Sequence, residues 1–216
     1  MSANSPFPLR RGAEDSRRER IIEAAERAFV RHGFHAATMQ HVAEEAEMSA
    51  GNLYRYFPSK EAIVEALCAR DQEGRTGAFV ELLAQNADIV KAIYAGLRDH
   101  VFAKPPEKAR MIVEIWAEAG RNARVAEMTR ALDADVLMTL ERVIDAAKAA
   151  GVASPALDSG FGARFFLTFV GGIFKRIAIE ADFDADAETE MAVAVMKALF
   201  AGALSPDPVA PDAEAR

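Results

Sequence analysis

The sequence predicts an all-α protein in which a three-helix head precedes a larger helical body. Three observations carry that expectation. No segment alternates apolar and polar residues as a half-buried strand does, and Val and Ile recur at helical spacing throughout. Helix starts are marked by Ser, Thr or Asp, and stops by Gly or Pro. The 216 residues, 51% of them hydrophobic, supply a core for one long domain or two small ones.

The elements follow in order. Residues 1–16 read as a disordered arm. A first helix spans about Arg17 to His32, with Ile22, Ala25 and Phe29 on one face and Gly33 as its stop. Thr38 caps a second helix carrying Met39, Val42, Ala43 and Ala46; Ser49 caps a short third ending near Tyr56. Pro58 breaks the chain and Ser59 caps a helix from Lys60 to about Gln85, with a bend expected at Gly74 and Gly77. Asp88 caps the next, to about Phe102. Pro105 and Pro106 open a helix to Ala119, and another spans Asn122 to Ala150. Ser154-Pro155 signals a helix to about Glu180. The last runs from about Asp186 to Ala201, and residues 205–216 read as a disordered tail.

Charge is unevenly distributed. The whole chain carries −7, but residues 1–60 hold nine Lys/Arg against eight Asp/Glu, leaving 17 against 25 beyond. A near-neutral head on an acidic body permits a locally basic surface at the head alone. The one cysteine, Cys68, excludes an internal disulfide, no apolar run reaches the length of a membrane span, and the N-terminus lacks a signal-peptide core. A cytoplasmic protein without membrane association is expected.

The stretch SAGNLYRYFPSK, residues 49–60, has too little apolar surface for a core helix, since only Leu53 and Phe57 stand at i and i+4. Two short helices joined by a tight turn match a helix-turn-helix, whose second helix enters the major groove. Its outer face would show Gly51, Asn52 and Arg55, small or equipped to read base edges. The hydroxyls of Tyr54 and Tyr56 suit phosphate oxygens, and Lys60 stands in the first turn of the next helix. For Tyr54, packing on helix 1 is the competing reading.

Residues 18–67 resemble the TetR family of bacterial transcriptional regulators. The resemblance is carried by Ile21, Ala24, Ala25, Phe29, Gly33, Phe34, Thr38, Val42, Ala43, Ala46, Ser49 and the run Leu53-Tyr54-x-Tyr56-Phe57-x-Ser59-Lys60-Glu61-Ala62. It implies phosphate contacts at Thr38, Tyr54, Tyr56 and Lys60, and base contacts at Gln40, Gly51, Asn52 and Arg55. Two departures stand out: Glu47 replaces a frequent turn glycine, which puts a non-glycine residue where positive φ is expected, and Ala50 replaces a frequent lysine. The resemblance also implies a helix-turn-helix DNA-binding domain over 17–60 and a ligand-binding and dimerisation domain over 61–204. Such a protein would be a homodimer on a palindromic double-stranded DNA operator, released by a small-molecule inducer.

Two helices near the C-terminus, within FGARFFLTFVGGIFKRIAI and MAVAVMKALF, are apolar almost all round, so both of their sides need cover. A second subunit is the expected cover, through Phe166, Val170, Ile173, Val195 and Leu199. An adaptable pocket is expected from Met111, Ile115, Trp116, Met128, Phe165 and Phe169, with core packing as the competing reading for each. Glu107, Arg110, Glu114, Glu118 and Arg121 read as a solvated charge ladder.

Rival classes find less support. A helical-bundle metal oxidase needs paired Glu-x-x-His motifs, which do not occur, and HExxH, a P-loop and a G-x-S-x-G elbow are missing too. His41 and Glu45 at i and i+4 provide two ligands and no more. No catalytic residue, metal or cofactor is therefore expected. A DNA-binding dimer without any ligand is the nearer alternative.

Overall fold

The computed structural model describes residues 8–71, 95 and 97–204, and every regular element among them is helical. In chain order these are α1 (Pro8–His32), α2 (Met39–Glu45), α3 (Ala50–Tyr56), α4 (residues 60–71), a π-helical turn (Arg98–Phe102), α5 (Pro106–Ala119), α6 (Ala123–Ala149), α7 (Ser159–Ile179) and α8 (Ala185–Phe200). The expected bend at Gly74 and Gly77, the Asp88 cap and the tail 205–216 lie outside the described residues.

The described residues gather into two compact units. The first takes in 8–71 and 105–130, the second 95, 97–104 and 131–204. In the first, α1 presents Ile21, Ile22, Ala25 and Phe29 to Val42 of α2, Leu53 of α3 and Ile63 of α4, all buried. Met111 and Ile115 of α5 join that same apolar cluster. A core of this kind forms because each short helix has too few residues to hold itself and is stabilised by burying one face. Phe34, 1% exposed, packs edge-on to Phe29 with ring centroids 5.4 Å apart.

Local chemistry sets the helix ends. Gly33 stops α1 at φ 74°, a conformation free of Cβ strain only for glycine. The Thr38 hydroxyl accepts from the His41 amide at 3.2 Å, and His41 Nδ1 accepts from the Thr38 amide at 3.4 Å, closing a capping box with histidine in the usual Glu or Gln position. Ser49 and Ser59 cap α3 and α4 by accepting from the amides of Asn52 and Ala62, each at 3.3 Å.

Four sequence expectations need correction. Helix α1 starts at Pro8, not near Arg17, so much of the arm expected over 1–16 has helical backbone. Proline suits a first helical position, and Glu14 stands three and four residues before Arg17 and Arg18, a spacing that supports an exposed helix. Helix α7 starts at Ser159, not at Ser154-Pro155. Ser154 instead forms a turn whose carbonyl accepts from the Leu157 amide at 3.1 Å, and Asp158 is the cap, accepting from Phe161 at 2.6 Å. The charge ladder on α5 is only partly solvated, because Glu114 and Glu118 reach residues 34 and 35. Finally, Ile173 and Leu199, expected between subunits, are 2% and 0% exposed within the chain itself.

In the second unit, α6 and α7 come close where Gly162 is buried: a Cβ there would lie 2.9 Å from Ile144 Cδ1. Arg176 at the end of α7 binds Glu180 through two bonds of 2.8 and 2.9 Å, reaches Glu188 of α8, and lies 5.9 Å from the Phe183 ring. Those bonds push the guanidinium further into its protonated range and hold the Glu180 carboxyl below the usual glutamate range.

The first unit also has an ion cluster between α1, α4 and α5, in which Glu26 receives both Arg70 and Lys108. Burial works to raise the Glu26 carboxyl, but the hydrogen bonds from Lys108 and Arg70 outweigh it and hold it below the usual range. A depressed folded value means the cluster stabilises the fold above the ordinary glutamate value of about 4.3, and that this contribution is lost as pH falls through the lowered value. Glu26→Gln should therefore lower stability at pH 7 by about 1–3 kcal/mol and narrow the gap from wild type below pH 4. Denaturant titrations at the two pH values check both the size and the convergence.

Candidate nucleic-acid interface

The α2–α3 pair is built to leave one side bare. Leu53 is fully buried and Phe57 nearly so, which turns the rest of α3 outward. Gly51, Tyr54 and Arg55 are exposed, while Asn52 and Tyr56 are half-buried. Tyr54 is 52% exposed, so the competing reading of it as a packing residue against α1 does not apply. A Cβ on Gly51 would meet nothing within 4 Å. The chain itself does not require glycine there, and the bare backbone is open to whatever docks on that side.

Of the other residues expected at DNA, Thr38 and Gln40 are exposed at the start of α2, with the Gln40 amide donating to Glu44 at 3.0 Å. Tyr56 packs against the core cluster, and its carbonyl accepts from Arg18 at 3.2 Å. Arg18 also lies 4.5 Å from the Phe57 ring centroid, so it braces the end of α3. Arg27 and Arg31 hold Glu45 at 2.9 and 2.7 Å, tying α1 to α2. Glu45 is thereby occupied, and His41 is used in the cap and stacks on His32 at 4.2 Å, so the pair at 41 and 45 is structural. Among the described residues no three His, Cys, Asp or Glu side chains gather as a metal site.

Lys60 differs most from expectation. Its ammonium donates to the carbonyls of Phe34 at 2.7 Å, Ala37 at 3.1 Å and His35 at 3.2 Å, and lies 4.5 Å from the Phe34 ring centroid. All three of its protons are used within the unit. Burial lowers the ammonium from its usual range despite the opposing pull of Glu61 and Glu118.

The residues expected to line a pocket are divided between the two units. Met111 and Ile115 are core of the first unit, with Met128 packed against them, and Trp116 on the same helix is 36% exposed. Phe165 and Phe169 belong to the second unit, stacked on one another with centroids 6.4 Å apart. What sequence reasoning missed is the reach of Glu114 and Glu118 to the segment before α2, for which helical spacing holds no signal.

A capped pair of seven-residue helices on a three-helix core, with the second helix bare on its outer side, defines a helix-turn-helix DNA-binding protein. Comparison with known proteins agrees. The model of the bacterial regulatory proteins of the tetR family matches residues 21–67. The chain is 29% identical over 165 residues to the HTH-type transcriptional regulator UidR of Escherichia coli K12, across 76% of this chain and 82% of UidR. Among solved structures it is similar to Salmonella enterica GusR, at 28% identity and a TM-score of 0.67, covering 93% of this chain and 99% of that one. Thermus thermophilus FadR, a TetR family transcriptional repressor solved with lauroyl-CoA, shares the fold at 21% identity and a TM-score of 0.64, covering 90% and 98%. Residues 21–67 thus match the DNA-binding segment of the TetR family, and the chain as a whole is similar to helix-turn-helix transcriptional regulators of that kind.

The turn between α2 and α3 retains one strained residue. Glu47 has φ 54°, the only non-glycine residue at positive φ among those described. A left-handed conformation costs an L-residue roughly 1–2 kcal/mol, part of which glycine gives back in unfolded-state entropy. Glu47→Gly should raise stability by about 0.5–1 kcal/mol with the fold intact. Urea unfolding measures it, and a destabilised variant would show that the carboxylate does more than occupy the turn.

Proposed function

We propose that this protein is a homodimeric transcriptional repressor. It places α3 of each subunit in successive major grooves of a near-palindromic operator and leaves when a small molecule binds the helical body. The observation that carries the reading is the outer side of α3, where Gly51, Tyr54 and Arg55 are exposed on a helix anchored through buried Leu53. Arg55 and Asn52 are assigned to base edges with Gln40 and Gly51; Thr38, Tyr54 and Tyr56 are assigned to phosphates.

Dimerisation is assigned to α7 and α8. Phe166, Val170 and Val195 are half-buried, while Ile179 and Met191 are 67% and 41% exposed, apolar surface that a second copy would cover. At Gly171 and Gly172 a Cβ would meet nothing within 4 Å, leaving room for another backbone. Response to a ligand is supported by the shared fold with FadR, which was solved with lauroyl-CoA. The Thr129 hydroxyl adds to this: it is buried and has no hydrogen-bond partner among the described residues, a cost of about 1–3 kcal/mol that a bound polar group would relieve.

Selection of duplexes from a random pool by the wild-type protein, then binding titrations at several salt concentrations, tests the DNA reading. Asn52→Ala and Arg55→Ala should each lose about 1–3 kcal/mol on the selected duplex per bidentate contact removed, with little change on random DNA. The salt slope should stay the same for Asn52→Ala, which removes no charge. If Asn52→Ala instead weakens both DNAs equally, the docking of α3 is wrong. A compound that both raises the melting temperature and releases the selected duplex identifies the inducer.

The subunit interface has its own check. Ile179→Glu puts a charge on a side chain already in solvent, so the fold should survive while sedimentation shows monomer. A persistent dimer would move the interface elsewhere.

A further inference from the structure

The segment between α1 and α2, residues 33–37, has a backbone that neither helix can satisfy alone. The Ala37 amide donates to the Gly33 carbonyl at 3.0 Å. Side chains from outside the segment take most of the remainder. Lys60 of α4 occupies the carbonyls of Phe34, His35 and Ala37, and Glu114 of α5 accepts the Phe34 amide. The next residue is Thr38, the cap of α2. Where this segment lies decides where α2 begins, and α2 braces α3.

We propose, on the basis of the DNA-binding reading above, that Lys60 and Glu114 are positioning residues for operator binding: together they clamp residues 34–37 and so orient the Thr38 cap, and neither touches DNA. The geometry at Lys60 argues against a direct phosphate role, because its three protons and the Phe34 ring fix the ammonium inside the unit. Moving it to a phosphate would leave three carbonyls to find other donors, one of them on fully buried Phe34. Glu114 sits on a helix 80 residues further along the chain, and the space it fills is tight: a Cβ on Gly33 would lie 3.2 Å from its Oε2. Glu118 supports the same place, binding Arg121 and, at 3.4 Å, His35.

The experiment compares Lys60→Ala, Glu114→Ala and Glu114→Gln as full-length proteins, with a duplex selected by the wild type and a random duplex. Glu114→Ala should weaken binding to the selected duplex about tenfold, the size expected for losing a hydrogen bond to a charged group. Glu114→Gln, which keeps a carbonyl oxygen for the Phe34 amide, should restore most of that affinity. In ¹H–¹⁵N spectra the Phe34 amide should move upfield in both Glu114 variants, and further in Glu114→Ala. Lys60→Ala should also weaken binding, with a salt slope equal to that of the wild type.

A slope that falls by about one per half-site in Lys60→Ala would make it a phosphate contact and overturn its half of the proposal. Affinity in Glu114→Ala within twofold of wild type, beside a lowered melting temperature, would make the Glu114 contact merely structural and overturn the other half. Should Lys60→Ala fail to fold, Lys60→Met keeps most of the side-chain length and permits the same salt titration. A wild-type protein that enriches no sequence overturns the DNA-binding reading itself, and the clamp's role falls with it; a defect confined to the variants bears on the clamp alone.

Discussion

Buried backbone must find hydrogen-bond partners, and the short segment between α1 and α2 is where this constraint governs the rest of the DNA-binding unit. Gly33 leaves α1 in a left-handed conformation, which frees the following peptides to point away from the helix. Phe34 then inserts its ring against Phe29, carrying its polar backbone groups inside with it. Those groups need partners that a three-helix unit does not have to spare. Lys60 and Glu114 supply them from α4 and α5. The unit is thus larger than the three helices that would meet DNA, and the core shows the same, with Met111 and Ile115 packed among residues of α1 to α4.

The apolar helices α7 and α8 pose the opposite problem, an excess of surface to hide. Their inward residues, among them Ile173, Ile177 and Leu199, are covered by the chain itself. What is left outside is a smaller set, Ile179 and Met191 most of all. Arg176 closes the end of the pair by spending its donors on Glu180 and Glu188. Glu188 is buried and would be costly there without that guanidinium, so the ion pair and the apolar faces around it depend on one another.

Legibility in the sequence follows the range of each interaction. The caps at Thr38, Ser49 and Ser59, the stop at Gly33 and the positive φ at Glu47 are legible because each depends on residues within one turn. Exposure on α3 is legible because Leu53 and Phe57 leave only one way for that helix to face. The partners of Lys60 and Glu114 are not, since contacts 23 to 80 residues apart leave no mark in spacing. Glu114 shows the limit well: its place in an i,i+4 ladder reads as solvated, and only the tertiary fold puts Phe34 within its reach. Helices apolar all round carry a related ambiguity, because periodicity says that both sides are covered but not by what. Ile173 and Leu199 fall on the intramolecular side of that ambiguity.

The strained turn at Glu47 fits the same logic of support. A turn that stores a kilocalorie or two persists only where its ends are held, and both ends here are. On one side Glu45 is gripped by Arg27 and Arg31 from α1. On the other, Ser49 caps α3, and Leu53 and Phe57 sink into the core. The angle between α2 and α3 is therefore set by their attachments to α1 and to the shared core, and the turn residue yields to it. The clamp on residues 34–37 fixes the start of α2, the Arg27–Glu45–Arg31 bridge fixes its end, and α3 follows from both. A helix of only seven residues has no stability of its own to keep it in register, so its placement has to come from these neighbours.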